Sequence, residues 1–356
     1  SLADMGKELP EYEEIPVELE MRDDIRTEYL RLEREFRRVI HVEQKVCRRV
    51  MSALMGLLTV YPDQPYDQPP ILDPRNKKIA MVTPASLSSI EELHQKDLKL
   101  LELVQRKMDQ GENVLVYTSW VRIDTQQKLL SLFAQHGFPA AVLSAAVSPQ
   151  KRGEWMEKKL RAGVRILITN PTLVETGLDL NAFTTIVYYN IAYNLFTLRQ
   201  SSRRSWRINQ TAPRIEVYFF FYKETMQARA MGLMASKLAA AGVLEGNVTD
   251  EGLAAMSDCR DLTSQLAREL TLGIQSKVED LAAVFKRMAV LRPLEEKTAN
   301  QGRSASVLQL PDPISRKEPP RPSHPPKDPV FLFATSFRRR DKKAKPQLCE
   351  EQLSFF

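Results

Sequence analysis

The stretch Arg165–Gln210, "RILITNPTLVETGLDLNAFTTIVYYNIAYNLFTLRQSSRRSWRINQ", decides the fold. Its two apolar runs, "RILIT" at 165–169 and "TIVYY" at 185–189, show no polar alternation, so each reads as a strand covered on both faces. Each run empties into a polar loop. The second loop leads into a helix expected over 197–208, on which Arg204 and Arg207, three apart, share a side, with Gln200 one turn before Arg204. Two like charges on one face repel, and planar guanidinium forks suit phosphate oxygens. On spacing alone, a surface pair matched to nearby Asp or Glu stands equally well.

The same alternation continues outward. A helix is expected over 88–110, then the strand "NVLVY" (113–117), a helix over 122–136 closed by Gly137, the strand "AAVL" (140–143), a helix opened by Ser148 and Pro149, and the strand "RIEVYFF" (214–220). Apolar strands separated by helices predict an α/β fold, a parallel sheet with helices on both faces. In such sheets ligands gather at the carboxyl ends of the strands. That places the polar loops after "RILIT", with Gly177 and Asp179, and after "TIVYY" at one edge with the arginines.

Upstream, "ELPEYEEIPVELEM" reads as an acidic extended strand, and Ile25, Tyr29, Leu32, Phe36 and Val39 recur at helical spacing within 22–58. A proline-rich connection, "YPDQPYDQPPILDP", follows. Downstream, 223–245 and 257–291 read as helices, the second carrying an apolar stripe from Leu262 to Phe285. Eight prolines between Pro311 and Pro329 predict a disordered spacer before the basic "FRRRDKKAKP" and the terminal "EEQLSFF".

Of the 356 residues 43% are hydrophobic, enough for a substantial core, and no run of about 18 apolar residues suggests a membrane span. A cytoplasmic protein is expected. Its three cysteines and four histidines are scattered, which argues against a disulfide framework or a metal site. The net charge of +6 suits a polyanionic partner, though much of the excess lies in the tail.

"LITNPTLVETGLDL" followed by "TIVYYNIAYNLFTLRQSSRRSWRINQ" resembles motifs V and VI of superfamily 2 helicases, particularly the SWI/SNF-like branch, whose motif VI has the form QAxxRxxRxGQ. Gln200, Arg204, Arg207, Ile208 and Gln210 match that form, whereas Ser201 and Asn209 stand where alanine and glycine are usual. "NVLVYTSW" is similar to motif IV, and "LPEYEEIPVELEMRDDIRTEYLRLEREF" resembles the segment that joins the two lobes of such motors. The resemblance implies a second RecA-like lobe over 86–225, preceded by an inter-lobe linker and helical segment (1–85), followed by accessory helices (226–292) and a disordered tail (293–356).

By the same resemblance, Arg207 is an arginine finger with Arg204 beside it and Gln200 orienting the helix or contacting nucleotide. Gly177 and Asp179 contact nucleotide, and Thr118, Ser119, Thr169 and Asn170 grip the DNA backbone. Trp120 and Trp206 suit base stacking or, more ordinarily, packing. The cofactors implied are ATP and Mg, the latter held by a first lobe. Neither a GxxxxGK[ST] cradle nor a strand ending in DExx occurs here, and the chain opens at Ser1 without methionine. A piece of a larger motor, or one half of a split one, is therefore expected; a non-catalytic DNA- or clamp-binding module is the rival. Finally, "QLSFF" looks like the bacterial sliding-clamp binding pentapeptide, with Gln352, Leu353, Phe355 and Phe356 as contacts.

Overall fold

The computed structural model describes residues 10–42, 48–119, 124–174, 178–191, 195–207 and 210–244. Six strands form one sheet: β1 (Glu11–Leu19), β4 (Val114–Tyr117), β5 (Ala140–Leu143), β6 (Ile166–Thr169), β7 (Thr185–Tyr188) and β8 (Arg214–Tyr222). Their order is β1-β8-β7-β4-β6-β5, and every neighbouring pair is parallel. A separate antiparallel pair, β2 (Ile71–Leu72) and β3 (Ala80–Val82), lies between the amino-terminal helices and the rest.

The unbroken apolar strands are explained by two cores. Leu115, Tyr117, Leu167, Ile186, Tyr188, Val217 and Phe219 face one; Val114, Val116, Ile166, Ile168, Val187, Tyr218 and Phe220 face the other. Successive side chains point to opposite faces, so a strand buried on both needs apolar residues at every position. The second core is closed by α3 (Gln95–Asp109) and α4 (Thr125–Gln135). The first is closed by α1 (Asp23–Val42), α2 (Arg48–Val60), α5 (Arg152–Arg161) and α7 (Met226–Leu244). Gly137, at φ 72, ends α4 in the left-handed conformation, as read from the sequence.

The acidic amino-terminal strand is not a free linker. β1 runs alongside β8 over nine residue pairs, Glu11 to Leu19 against Arg214 to Tyr222. The division expected at 85/86 therefore marks no break: β1, α1 and α2 share a sheet and a core with the lobe. Trp206 helps hold the strand, donating its indole N–H to the Pro10 carbonyl (2.7 Å) and lying 5.4 Å from the Tyr12 ring. Packing, not base stacking, is its visible role; Trp120 falls outside the described residues.

Helix boundaries shift in instructive ways. The periodicity over 22–58 belongs to two helices, α1 and α2. The helix expected from 88 starts at Gln95, because Asp97 accepts the His94 N–H (2.9 Å) and caps the helix there. The second accessory helix (257–291) and the tail lie outside the described residues.

A buried polar cluster ties these pieces together. Lys96, 1% exposed, places its ammonium 2.7 Å from Asp63, just beyond α2, and donates to the Tyr189 carbonyl (3.1 Å) and Gln227 of α7 (3.0 Å). Its neighbour Asp97 accepts from Lys128 of α4 (2.7 Å) and the Tyr189 hydroxyl (2.8 Å). Burial pushes the Lys96 ammonium below its ordinary value, and the Asp63 carboxylate opposes that push. Removing one member strands a charge in the core. Asp63→Ala should cost about 3–5 kcal/mol in urea unfolding, and Asp63→Leu combined with Lys96→Met should recover much of it.

Candidate nucleotide and nucleic-acid interface

The loops that follow β4, β6 and β7 meet at the carboxyl edge of the sheet, where backbone groups leave the ladder. Tyr117, Thr169 and Tyr188 end these strands in matched register. Beyond them the Thr118 N–H bonds Thr169 O (2.9 Å), and the Tyr189 N–H bonds Tyr117 O (3.0 Å). The ladder thus runs one residue past β4 and β7 and brings Ser119 beside Asn190, with Asn170 one position back, just after β6.

Asn190 then joins two loops. Its Oδ1 accepts the Ser119 N–H (2.6 Å), and its carbonyl accepts the Ser119 hydroxyl (3.3 Å). With Oδ1 committed, Nδ2 points into the protein and has no partner among the described residues, although Asn190 is only 2% exposed. The Thr118 hydroxyl oxygen is likewise buried and unpartnered. Such groups cost about 1–3 kcal/mol each.

The expected DNA-gripping residues divide into two pairs. Ser119 and Asn170 are partly exposed, Asn170 with its Oδ1 accepting from the Thr172 N–H (2.9 Å) and hydroxyl (2.7 Å) to cap a short turn at 171–173. Thr118 and Thr169 are fully buried, and the Thr169 hydroxyl is donated to Leu143 O (3.0 Å). These two threonines form the floor of the loops and present no side chain to a ligand. They are the last positions before the chain leaves the sheet, and so are still covered.

The arginine segment also departs from expectation. Helix α6 (Leu195–Ser202) stops before Arg203, so Arg204 and Arg207 lie on successive turns and do not share a helix face. Beyond the helix the chain is held by side-chain bonds to other parts of the fold. Ser201 Oγ donates to Thr197 O (2.6 Å), and Ser205 Oγ donates to Leu180 O (2.9 Å). Two buried tyrosines anchor the end of the helix: Tyr117 donates to Ser201 O (3.2 Å), and the Tyr188 hydroxyl lies 2.5 Å from Ser201 Oγ. Gln210 closes the far side, donating to Asn181 O (3.1 Å) and Ser205 O (3.0 Å) while its Oε1 accepts the Thr211 and Ala212 N–H groups.

On this pinned segment, Arg207 is 40% exposed and sits 3.4 Å from Asp179, itself 58% exposed, so the loop after β6 and the arginine turn do converge. Arg204 lies close enough to the buried Tyr117 for its charge to offset part of the rise that burial imposes on the phenol. Its Nε is buried and has no hydrogen-bond partner among the described residues. Arg203 stacks on Trp206, 5.4 Å from the ring. Gln200 is partly exposed on the last turns of α6. Gly177, like Gln352, Leu353, Phe355 and Phe356, falls outside the described residues. Asn190 and Gln210 organise the site, yet only Gln210 stood out in the sequence, as a motif position; a single asparagine after an apolar strand carries no signal of its own.

Residues 95–209 match the helicase conserved C-terminal domain family. A stretch of 112 residues is 31% identical to the "Putative ATP-dependent helicase/translocase YwqA" of Bacillus subtilis (strain 168); it makes up 32% of this chain and 12% of that protein. The C-terminal part of the Fun30 ATPase domain has a similar fold, with a TM-score of 0.52 at 12% identity, over 75% of this chain and 99% of that one.

Asn190 provides a direct check of the loop geometry. Asn190→Leu should speed hydrogen exchange at the Ser119 amide by at least tenfold, the effect expected from losing about 1.4 kcal/mol of protection, whereas Asn190→Asp, which keeps the acceptor, should not.

Proposed function

We propose, from the match of residues 95–209 to the helicase conserved C-terminal domain and the resemblance of motifs V and VI to the SWI/SNF-like branch of superfamily 2, that the chain is the second motor lobe of an ATP-dependent DNA helicase or translocase. The observation that carries the reading is the pinned arginine turn. Buried tyrosines, Ser205 and Gln210 fix its backbone at the carboxyl edge, while the Arg207 guanidinium is held by one exposed ion pair. Exposed pairs contribute about 0–1 kcal/mol, so a phosphate can take the place of Asp179 at little cost.

In this reading Arg207 and Arg204 belong to an ATP site completed by a first lobe, in cis or in trans. That lobe contributes the phosphate cradle and the carboxylates for Mg, and the bound nucleotide supplies the energy for movement. Asp179 parks Arg207 between cycles, and Gln200 steadies the helix behind it. Ser119 and Asn170 face the DNA backbone, with Thr118 and Thr169 as their support. Opening and closing of the two lobes would shift that grip along the DNA.

ATP hydrolysis measured for this chain alone, and again with a first lobe supplied, tests the composite site. Turnover stimulated by DNA is expected in the second case. Arg207→Ala should lower that turnover roughly 10³-fold or more while DNA affinity changes little. DNA binding without hydrolysis in either arrangement would instead indicate a non-catalytic module.

The terminal peptide is a separate part of the proposal. An extended Gln352–Phe356 segment on a proline-rich tether suits recognition by a sliding clamp, with Leu353 and the two phenylalanines filling apolar pockets. Deleting 352–356 should abolish capture of purified clamp in a pull-down and leave hydrolysis unchanged.

A further inference from the structure

The hairpin β2–β3 is not used by the site described above. Its strands pair Ile71 with Val82 and Leu72 with Ala80, and residues 74–80 between them are all exposed. This tip is nonetheless built to one shape. The Asp73 N–H bonds Ile79 O (2.9 Å), the Asn76 N–H bonds Asp73 O (3.1 Å), and the Ile79 N–H bonds Asn76 O (2.9 Å). Asp73 also accepts from the Arg75 N–H (2.7 Å) and guanidinium (3.0 Å), and Asn76 Oδ1 accepts the Lys78 N–H (3.1 Å).

The charges on the tip are unevenly matched. Asp73, its one acid, is spent on Arg75, while neither Lys77 nor Lys78 has an ion-pair partner among the described residues. Beside them Ile79 is 53% exposed, the most exposed of the large hydrophobic side chains described. A loop that merely solvates its lysines has no need of so many internal hydrogen bonds or of an apolar neighbour. A surface that meets a polyanion gains from both, since ordered cations lose little entropy on binding and an apolar side chain can rest on a sugar.

The root of the hairpin fixes where the tip stands. Arg31 donates to Thr83 O (2.8 Å), the Ala85 N–H bonds Glu28 (2.9 Å), and the Tyr61 hydroxyl donates to Ala85 O (2.8 Å). The Leu87 N–H then bonds Pro65 O (2.8 Å), closing the neck of the excursion. Just before it, Asp63 bonds Lys96, whose ammonium reaches the Tyr189 carbonyl beyond β7. The neck of the hairpin therefore lies beside the residue that follows β7, at the carboxyl edge of the sheet, while Ser119 and Asn170 follow β4 and β6.

We infer that the β2–β3 tip, through Lys77 and Lys78, is a second contact for the sugar-phosphate backbone of the DNA, adjoining the grip of Ser119 and Asn170. The inference rests on the motor reading for its ligand. It adds a positioning surface contributed by the segment ahead of the helicase domain.

Fluorescence anisotropy with a labelled DNA duplex, titrated between about 50 and about 200 mM salt, tests it. Lys77→Gln with Lys78→Gln should lower affinity roughly tenfold at the low end and flatten the salt slope by about 2, one unit per lost phosphate contact. Lys77→Arg with Lys78→Arg should restore both, which separates charge from folding. Equal affinity and slope in the wild type and the glutamine variant would overturn the inference and leave the motor reading standing, with the tip free for a protein partner. A wild type that binds no duplex even at low salt would overturn the DNA reading and this inference together.

Discussion

A buried ammonium can be held in a protein only if a carboxylate and fixed dipoles surround it, and Lys96 is held in this way. Asp63, the Tyr189 carbonyl and Gln227 come from three different parts of the chain, and all must be in place before the charge is tolerable. The amino-terminal segment is thereby locked to the carboxyl edge of the sheet. Three consecutive residues at the end of β7 then spread the constraint, because alternate side chains point to opposite faces. Tyr188 reaches the end of α6 through Ser201, Tyr189 reaches Asp97, and Asn190 takes hold of Ser119. One strand end thus sets the arginine turn, the start of α3 and the loop after β4 together.

At the same edge polar satisfaction is incomplete. Thr118 Oγ1, Asn190 Nδ2 and Arg204 Nε are buried without partners among the described residues, whereas most buried polar groups in folded proteins are paired. Each costs stability in this conformation, so an arrangement that satisfied them would be favoured by the same amount. In the proposed motor, lobe closure and DNA binding are events that could bring acceptors to this edge. The cost would then bias the lobe toward the bound arrangement without any change in the core below.

The sheet was legible in the sequence because its central strands are buried on both faces and run apolar almost without interruption. All five strands read between 113 and 220 occur, and they pair in parallel as the intervening helices require. Motif VI was legible as a set of spaced residues, but its geometry was not. Spacing by three suggests a helix, yet α6 ends at Ser202 and the segment beyond it is held by long-range bonds such as Ser205 to Leu180 O, which no periodicity reports. Thr118 and Thr169 were placed in the correct loops yet on the wrong side of the surface, since a strand end can be covered or open with the same sequence. The buried cluster around Lys96 was invisible for a deeper reason: its members are scattered from Asp63 to Gln227, and charged residues in amphipathic helices ordinarily read as solvated.

Rigidity and freedom are divided sharply across the arginine segment, and that division bears on how it could work. Its backbone is held by hydrogen bonds to buried partners, while the Arg207 side chain is held by an exposed pair that thermal motion and salt both weaken. A group that must act on a phosphate at one stage and release it at another needs such a combination. A loose backbone would place the guanidinium poorly, and a buried ion pair would compete with the ligand for it. Asp179 meets both demands because it lies on the loop after β6, so any shift of that loop relative to the arginine turn changes how firmly Arg207 is held. In the proposed motor this links two edges of the cycle: the loops that would follow the DNA backbone and the arginine that would face the nucleotide share one weak, exchangeable contact.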